Sequence, residues 1–384
     1  MNNWKKVRLS ELADITMGQS PKSDFYNSKG DGLPFLQGNR TFGDKYPTFD
    51  TWTTFVTKEA EVGDVIMSVR APVGDINITP LKMCLGRGVC GLRHKQGAQE
   101  FLYYLLRANK ENLINRENGT VFGSINKTDI SNLEVQVPSL REQIQIGLTL
   151  KAIDDKIENN KKINHHLEQI AQAIFKSWFI DFDPFGGEKP SDWKTANLTD
   201  IAEFLNGLAM QKYRPLDNEE SLPVLKIKEL RQGIFDSSSD LCSANIKSQY
   251  IIQDGDVIFS WSGSLLVDFW TGGTGGLNQH LFKVSSQKYD KWFYYSWTKY
   301  YLEEFIAIAA DKATTMGHIT RRSLEKAKIL IPNDHDYKSI GLLLAPIYRQ
   351  IISNRIESRK LTEMRDTLLP KLLSGEISVN QATK

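Results

Sequence analysis

Apolar residues recur at alternating steps of four and three positions through residues 140–179, which places them along one face of a helix. A stripe with this 3.5-residue period is typical of a coiled coil, in which it packs against a second helix. Two asparagines interrupt the stripe near its middle. Its members are Ile146, Leu150, Ile153, Ile157, Asn160, Asn164, Leu167, Ala171, Ile174 and Trp178.

The same pattern, with a polar interruption at the corresponding place, recurs 194 residues later. Its members are Ile340, Leu344, Ile347, Ile351, Asn354, Ser358, Leu361, Arg365, Leu368 and Leu372. Each stripe extends about 50 Å at 1.5 Å per residue, which is longer than one small domain needs. The stripes therefore predict two antiparallel helices, whose facing polar residues fix the register at some cost in stability. Pro346 lies inside the second pattern, so that helix is expected to kink or to begin there.

The segments that precede the two long helices are also similar. Residues 4–18 and 193–207 correspond at an offset of 189, each beginning with Trp-Lys and ending in glycine. They predict two short helices, with Ser10 and Thr199 as the N-caps and Gly18 and Gly207 as the residues that end them.

Further matching pairs follow in the same order in both halves. The apolar runs predict strands, two of them preceded by a Gly-Asp turn, and the aromatic runs predict helices. The strand pairs are 33–36 with 222–225, 62–68 with 254–260 and 133–137 with 327–331, and the aromatic pair is 101–104 with 292–295.

These patterns predict a mixed α/β (α+β) fold with an internal, pseudo-twofold repeat. Two similar globular domains are expected to be separated by two long antiparallel coiled-coil helices. Residues 181–192 carry two prolines, two adjacent glycines and a net charge of −3, which is typical of a linker. The predicted regions are a first globular domain 1–138, a central spacer helix 139–180, a linker 181–192, a second globular domain 193–332, a C-terminal spacer helix 333–375 and a tail 376–384.

Composition adds limits rather than a function. The 384 residues carry a formal net charge of +2, so any DNA-binding surface must arise from local clustering of charge. No apolar run approaches the roughly 18 residues of a membrane span, and the N-terminus lacks the apolar stretch of a signal peptide. Three cysteines without metal-binding spacing or an even number for disulfides favour the reducing cytoplasm.

A search for catalytic residues leaves none. The segment 181–185 resembles an amino-methyltransferase motif but lacks its second proline, and the run 272–276 has no Lys-Ser/Thr of a phosphate loop, so it predicts a turn. His165 and His166 have no ligand partners at metal spacing. The carboxylates of residues 254–256 belong to a turn that is repeated in the other half. We therefore expect a non-catalytic protein with no metal site.

Polar, locally basic loops rich in glycine occur in both halves and are the remaining candidates. Arginine suits guanine edges, asparagine and glutamine suit adenine edges, and serine, threonine and lysine suit phosphates, while glycine allows close approach of the backbone to a duplex. The alternative is that these loops are ordinary surface. The candidate DNA-binding residues are Gln37, Asn39, Arg40, Ser68, Arg70, Arg87, Asn126, Lys127, Lys226, Lys228, Ser260, Trp261, Ser262, Gln279, His280, Thr314, Thr315, Arg321 and Arg322.

The duplicated order of opening segment, Gly-Asp strand, strand with proline and long helix resembles the specificity subunit of type I restriction–modification enzymes. The resemblance covers essentially the whole chain, although no single motif in it is specific. It implies two target-recognition domains that each recognise one half of a split, asymmetric site in double-stranded DNA, and a coiled coil that sets the distance between them.

The resemblance also implies partners. Two modification subunits would dock on this chain and bring S-adenosylmethionine and adenine methylation, and restriction subunits would add translocation and cleavage that use ATP and magnesium. None of these cofactors would bind this chain. Two alternatives stay open at this point, namely a structural adaptor whose paired domains bind proteins and an enzyme with an unrecognised site.

Overall fold

The structure is a computed structural model, and it describes residues 4–115, 123–311 and 317–382. The chain forms two compact units. The first comprises Met1–Asp155 with Leu361–Lys384, and the second comprises Lys156–Lys360. Each long helix therefore contributes residues to both units.

The first unit combines short strands with short helices. Its strands are β1 (Lys5–Arg8), β2 (Ala13–Met17), β3 (Tyr26–Asn27), β4 (Leu33–Leu36), β5 (Trp52–Thr53), β6 (Glu59–Ala60), β7 (Val65–Ser68), β8 (Ile76–Ile78), β9 (Met83–Leu85), β10 (Val89–His94) and β11 (Glu134–Val137). Its helices are α1 (Leu9–Leu12), α2 (Gln99–Ala108), α3 (Lys110–Ile114) and α4 (Lys127–Ser131), followed by the first long helix α5 (Leu140–Phe179).

The second unit repeats this arrangement. Its strands are β12 (Lys194–Asn197), β13 (Glu203–Asn206), β14 (Ser221–Leu225), β15 (Leu241–Ser243), β16 (Ile251–Ile252), β17 (Val257–Ser260), β18 (Leu266–Phe269), β19 (Gly275–Leu277), β20 (Leu281–Ser285) and β21 (Lys328–Ile331). Its helices are α6 (Leu198–Ile201), α7 (Ile227–Gln232), α8 (Lys291–Tyr300), α9 (Leu302–Asp311), α10 (Arg321–Lys326) and the second long helix α11 (Asp334–Ser374) as far as Lys360. The rest of α11 and the last described helix, α12 (Val379–Ala382), belong to the first unit.

The sheets of the two units correspond, except that the third sheet has five strands in the first unit (β3-β5-β4-β9-β6) and four in the second (β15-β14-β19-β16). A two-stranded antiparallel sheet is β1-β11 in the first unit and β12-β21 in the second. A four-stranded sheet has the order β2-β10-β7-β8 or β13-β20-β17-β18. A third sheet contains the parallel pair β4-β9 or β14-β19 with an antiparallel neighbour, β6 or β16. The prediction of a mixed α/β fold with two similar domains is confirmed.

The long helices complete the core of each unit. In the first unit, buried Ile146 and Leu150 of α5 and Leu369 and Leu372 of α11 join the same apolar cluster as the aromatic helix α2. In the second unit, Phe175 and Phe179 of α5 and Ile340 and Leu344 of α11 pack with the aromatic helix α8. Apolar burial, the main favourable contribution to folding, thus ties both helices to each globular half.

The two long helices pair antiparallel within each unit, as predicted. In the second unit, Asn160 Nδ2 donates to Ser358 Oγ over 3.2 Å, whereas Asn164 Nδ2, one turn later, donates to the carbonyl of Ile351 over 3.3 Å. Asn354 Nδ2 donates to Asn164 Oδ1 over 2.9 Å. Fourteen residues were expected at the helix interface, and all of them are buried or half-buried. They are the residues named in the two stripes except Ala171, Trp178, Ile340, Leu344, Arg365 and Leu372.

The expected N-caps of the short helices are wrong by two residues, since the N-caps are Arg8 and Asn197. Helix α1 begins at Leu9 and α6 at Leu198, because these leucines are fully buried and their backbone N–H groups donate to Leu133 and Ala327 carbonyls over 2.8 and 2.9 Å. Ser10 and Thr199 therefore lie inside the first turn. The acidic side chain that follows each of them accepts from the N-cap backbone instead.

Gly18 and Gly207 do not end helices, because strands β2 and β13 lie between them and the short helices. A Cβ atom would lie 2.1 Å from the Gly86 carbonyl oxygen at Gly18 and 2.2 Å from the Asn278 carbonyl oxygen at Gly207. These glycines therefore permit close approach of a neighbouring backbone segment, a packing role that sequence periodicity does not show.

Two other expectations are corrected. Helix α11 begins at Asp334 and continues through Pro346 rather than starting there. Pro346 and Leu342, whose carbonyl loses its usual helical donor, both lie on the exposed side, where water can bond that carbonyl. The glycine run is not a simple turn, since Gly275 and Gly276 lie in β19, between two neighbouring strands.

The buried pair of asparagines generates a first prediction. Replacing Asn354 by leucine leaves Asn164 Oδ1 without its donor in the seam, so the free energy of unfolding should fall by about 1–3 kcal/mol. Replacing both Asn164 and Asn354 by leucine should restore most of this loss. Urea denaturation of the full chain measures both effects, and a double variant no more stable than the single one would contradict the assigned pairing.

Candidate nucleic-acid interface

Four backbone segments lie side by side in the first unit, and they include the loops singled out from the sequence. The segment after β4 contacts the turn between β9 and β10, because Gly88 N donates to the Gln37 carbonyl over 3.0 Å. Val69 N, after β7, donates to the Gly88 carbonyl over 2.9 Å, and Ile125 N donates to the Val69 carbonyl over 3.0 Å. Hydrogen bonding thus joins loops distant in sequence into one layer, which we call the four-segment layer.

The second unit contains an equivalent four-segment layer. Asn278 N donates to the Leu225 carbonyl over 3.2 Å, and Trp261 N donates to the His280 carbonyl over 3.4 Å. Ile319 N then donates to the Trp261 carbonyl over 3.1 Å. The layer is therefore a repeated feature of the fold rather than an accident of one loop.

Two adjoining cavities of about 720 and 210 Å³ open on the layer of the first unit. Gln37, Gly38 and Arg87 line both cavities, whereas Arg40 lines the larger one and Arg70 the smaller one. Asn39 also lines the smaller cavity. The structure therefore brings most of the predicted residues of the first half to one concave polar surface.

Glycine has a different role here from the expected one. A Cβ atom at Gly86 would lie 2.5 Å from the Leu36 carbonyl oxygen, and one at Gly88 would lie 2.4 Å from the Gln37 carbonyl oxygen. These glycines let protein segments approach one another. Close approach to a duplex is not needed to explain them.

Neighbouring side chains orient two amides of this surface. Gln37 Oε1 accepts a hydrogen bond from Ser20 Oγ over 2.9 Å. Asn39 Nδ2 donates to Asp75 Oδ2 over 2.6 Å, and Asp75 also accepts from Lys110 Nζ over 2.6 Å. Sequence reasoning missed Ser20 and Asp75, because the contacts that give them this role join loops far apart in the chain.

The three arginines of this surface differ in charge balance. Arg40 Nη2 lies 2.6 Å from Asp50 Oδ2, and this hydrogen bond lowers the pKa of the Asp50 carboxyl. Arg70 and Arg87 are exposed, and neither forms an ion pair with a carboxylate in the described ranges. Arg70 and Arg87 are therefore the cations most available to an anionic or acceptor-rich ligand.

Asn126 and Lys127 lie at the start of α4. The Asn126 carboxamide oxygen accepts from the backbone N–H groups of Thr128 and Asp129 over 2.8 and 3.0 Å, so it caps the helix. Lys127 is exposed. Only the lysine retains a side chain that is free of a capping role.

In the second unit, both predicted lysines of the segment after β14 are ion-paired. Lys226 bonds Asp240 and lowers the pKa of that carboxyl. Lys228 Nζ lies 3.0 Å from Asp236 Oδ2. Hydrogen bonds from Ser238 and Lys228 lower the pKa of Asp236 to about 2. This part of the surface is therefore less cationic than its sequence indicates.

Aromatic side chains give the second surface a different character. Trp261 stacks on Phe282 with a centroid separation of 5.6 Å, and its Nε1 donates to Asn206 Oδ1 over 3.0 Å. His280 and His318 lie beside the same indole ring, at 6.4 and 6.3 Å. Neither Asn206 nor His318 was singled out from the sequence. Asn206 belongs to no basic run, whereas His318 lies between the candidate residues Thr315 and Arg321.

The remaining predicted residues of the second half differ in accessibility. Ser262 is buried, with its hydroxyl 2.9 Å from His280 Nδ1, and Gln279 is half-buried. Arg321 and Arg322 are exposed at the start of α10, and Arg321 lies 3.8 Å from Glu325. Thr314 and Thr315 lie outside the described residues.

Two predicted residues cannot contact DNA in this conformation. Ser68 and Ser260 are both completely buried at the ends of β7 and β17. Ser68 Oγ donates to the Pro72 carbonyl over 2.7 Å, and Ser260 Oγ donates to the Ser262 carbonyl over 3.2 Å. Their hydroxyls shape the loops, and the expectation of phosphate contacts is withdrawn.

Other sites searched for in the sequence do not form a metal centre. Within the described ranges, no group of three or more His, Cys, Asp or Glu side chains is placed to hold a metal ion. His165 and His166 are exposed. Of the helices that the structure describes, none has both the length and the apolar character required to cross a bilayer.

Comparison with known proteins shows which family the chain is similar to. Residues 1–169 and 190–362 each match the sequence profile described as type I restriction modification DNA specificity domain. The type I restriction enzyme MjaIX specificity subunit of Methanocaldococcus jannaschii is 26% identical over 411 residues, covering 99% of this chain and 94% of that protein. The HindI specificity subunit of Haemophilus influenzae is 23% identical and covers 72% of this chain and 77% of that protein.

Two further comparisons agree. The putative MjaX specificity subunit of M. jannaschii is 39% identical over 176 residues, which are 45% of this chain and 41% of that protein. A crystal structure of the type I restriction–modification S subunit from M. genitalium matches with a TM-score of 0.66 at 16% identity, covering 97% of this chain and 96% of that one. At this identity the structural likeness supports the fold alone.

The duplicated mixed α/β domain, with an equivalent four-segment layer in each copy, and the match to DNA specificity domains together define a DNA-recognition protein. The chain belongs to the type I restriction–modification DNA specificity family, because the family profile covers most of the sequence in two copies. The prediction of a type I specificity subunit is confirmed.

The ion pair between Arg40 and Asp50 generates a second prediction. Changing Asp50 to asparagine frees Arg40 for a phosphate, so DNA affinity should rise about 2- to 10-fold at low salt. The slope of log affinity against log salt should steepen by about 0.9, the value for one additional phosphate contact. Fluorescence anisotropy over a salt series measures both quantities.

Glu134→Gln is the matched control, because Glu134 forms an exposed ion pair of the same 2.6 Å length with Lys6 on the sheet β1-β11. It changes the net charge equally but should leave the slope unchanged. An equal effect of both variants would show that bulk charge, not Arg40, is responsible.

Proposed function

We propose that each four-segment layer binds one half of a bipartite, asymmetric site in double-stranded DNA. The single observation that carries this proposal is the repetition of the layer, with equivalent hydrogen bonds, in two units whose sheets largely correspond. Two similar but chemically different surfaces are suited to two half-sites of different sequence. Direct contacts to base edges in the major groove would supply the specificity.

The finer assignment of residues follows from accessibility. The proposed DNA contacts are exposed Arg70, Arg87 and Lys127 in the first unit, and half-buried Gln279 with exposed His280, Arg321 and Arg322 in the second. Arg40, Lys226 and Lys228 would act there only after exchanging a carboxylate for a phosphate. Trp261 supplies a rigid apolar surface next to the polar groups.

The small net charge supports the proposal that DNA binding depends on partner proteins. A net charge of +2 over 384 residues is small for a protein that must hold DNA alone. Two modification subunits that bind this chain would supply part of the phosphate contacts, S-adenosylmethionine and the methylation chemistry. Restriction subunits would add ATP- and magnesium-dependent steps. The complex would act in the cytoplasm, where the DNA is.

We further propose that α5 and α11 set the distance between the half-sites. Each is a continuous helix, of 40 and 41 residues. The seam residues of both helices pair within each unit, which stiffens them. A helix of this length extends about 60 Å, more than one turn of DNA at roughly 34–36 Å.

Exchange of the second globular half tests the modular assignment. Replacing residues 193–332 by those of a relative with another specificity should alter one half of the methylated motif and leave the other half and the gap unchanged. Methylation mapping in cells that also express the modification subunit gives the motif. Altered bases in both halves would contradict the one-domain, one-half-site proposal.

The same experiment separates the proposal from a protein-binding adaptor. An adaptor predicts no split methylated motif and no protection of DNA by this chain, alone or with methyltransferase subunits. Two protected blocks separated by a gap favour DNA recognition. Methyl transfer by the isolated chain would favour the third interpretation, an enzyme with an unrecognised site.

Lengthening both helices tests the spacer. An insertion of seven residues after Asn160, with seven more before Ser358, keeps the 3.5-residue period in register and adds about 10 Å. The gap should grow by about three base pairs at 3.4 Å each, while both half-sites remain. A matched variant with seven residues inserted into the linker 181–192 should leave the gap unchanged, and an unchanged gap after the helix insertion would refute the spacer.

A further inference from the structure

Each unit has one side chain at an equivalent place, in a turn between two strands. This turn is one of the segments of the four-segment layer. In the first unit this turn links β9 to β10 and carries Arg87. In the second it links β19 to β20 and carries Gln279. Both turns are held by the same backbone hydrogen bonds, namely Gly18 N to Val89 O, Gln19 N to Leu85 O and Val89 N to Gly86 O in one, and Gly207 N to Leu281 O, Leu208 N to Leu277 O and Leu281 N to Asn278 O in the other.

The backbone beneath Arg87 is fixed while its side chain is exposed. Arg87 N donates to Ser20 Oγ over 3.0 Å, and the same hydroxyl donates to Gln37 Oε1. The Arg87 side chain lines both cavities of the surface beside Gln37. Unlike Arg40, it forms no ion pair with a carboxylate of the described residues. A fixed backbone with an uncommitted guanidinium is suited to a directional contact rather than to a diffuse attraction.

The Gln279 side chain, by contrast, has a hydrogen-bond acceptor that lacks a donor. Its Oε1 atom is buried and has no hydrogen-bond partner within the described part of the chain. Its Nε2 atom lies 3.4 Å from His280 Nε2, which is a long contact. Burying an amide oxygen without a donor is unfavourable, so a ligand group that donates to this oxygen would stabilise a rotated Gln279 side chain.

The chemistry of the two side chains distinguishes two bases. A guanidinium donates two parallel hydrogen bonds to guanine O6 and N7, whereas a carboxamide donates to adenine N7 and accepts from adenine N6. We propose that Arg87 and Gln279 are equivalent base-contacting positions, which recognise a guanine in the first half-site and an adenine in the second. This inference rests on the proposed DNA-recognition function and adds the identity of one base in each half.

The test uses the full chain expressed with its modification subunits, with methylated sites mapped across the genome. In the wild-type motif, the half that changes on exchange of residues 193–332 should contain an adenine, and the other half should contain a guanine. Arg87→Gln should replace guanine by adenine at one position of that half, or reduce methylation of the original motif about 10- to 100-fold, the discrimination of one bidentate contact. Gln279→Arg should produce the reverse change in the other half.

Arg40→Gln and Lys228→Gln are the matched controls, since each removes a cation of the same surface that is already ion-paired. Both should leave every base of the motif unchanged. A motif that is also unchanged in Arg87→Gln and Gln279→Arg would overturn the inference, as would a wild-type motif without these two bases. A wild-type complex that methylates no split motif would overturn the proposed function instead.

If a variant methylates nothing, its DNA binding is measured instead. The purified complex is titrated with duplexes that each differ from the motif at one base pair, and Arg87→Lys, which keeps the charge but loses the planar fork, is compared with Arg87→Gln. Discrimination lost at one base pair by both variants supports the inference. Equal weakening on every duplex, with Arg87→Lys like the wild type, assigns Arg87 to a phosphate and overturns it.

Discussion

Burial of the two apolar stripes is the constraint on which the rest of the structure depends. Leu150 and Leu372, which lie on different helices and are 222 positions apart, are both fully buried in the core of the first unit. Phe179 and Leu344 complete the second core in the same way. Neither globular half therefore has a finished core until both helices are in place. Because burial of apolar area dominates folding, the helices and the domains stabilise one another.

Polar groups in the seam lower the stability but favour one register of pairing between the two helices. Asp154 is buried between Arg365 Nη1, at 2.7 Å, and Tyr104 Oη, at 2.5 Å, and desolvation beside this carboxylate raises the pKa of Tyr104 far above its usual range. In the second unit, Asn160 Oδ1 is buried without a partner among the described residues. Well-packed apolar residues would often be as stable. The polar groups instead penalise a shifted pairing, which suits helices whose alignment would set a distance.

The features that the sequence predicted are those that local pattern determines. The 3.5-residue stripes, the Gly-Asp turns and the repeat at offsets near 190 located the long helices, the main strands and the duplication. What failed depends on contacts between distant segments. Helix α1 begins two residues earlier than expected, at Leu9, whose backbone N–H donates to the Leu133 carbonyl. Ser68 and Ser260 are buried although each lies next to a polar loop. The hydrogen-bond partners of Gln37 and Arg40 likewise come from other loops. The sequence therefore predicted which residues lie on the surface but not which of its charges are paired.

The paired cations have a consequence for how such a surface discriminates. Phosphate attraction is independent of sequence, and every free lysine or arginine strengthens binding to all DNA equally. Arg40, Lys226 and Lys228 are held by carboxylates of their own unit, so this general attraction is reduced on the surfaces to which the proposed function assigns the base contacts. A base contact would then decide a larger share of the binding free energy. On the proposed function, neutralised cations beside uncommitted arginines or a glutamine would favour selectivity over affinity, and partner subunits that hold the duplex elsewhere would supply the remaining affinity.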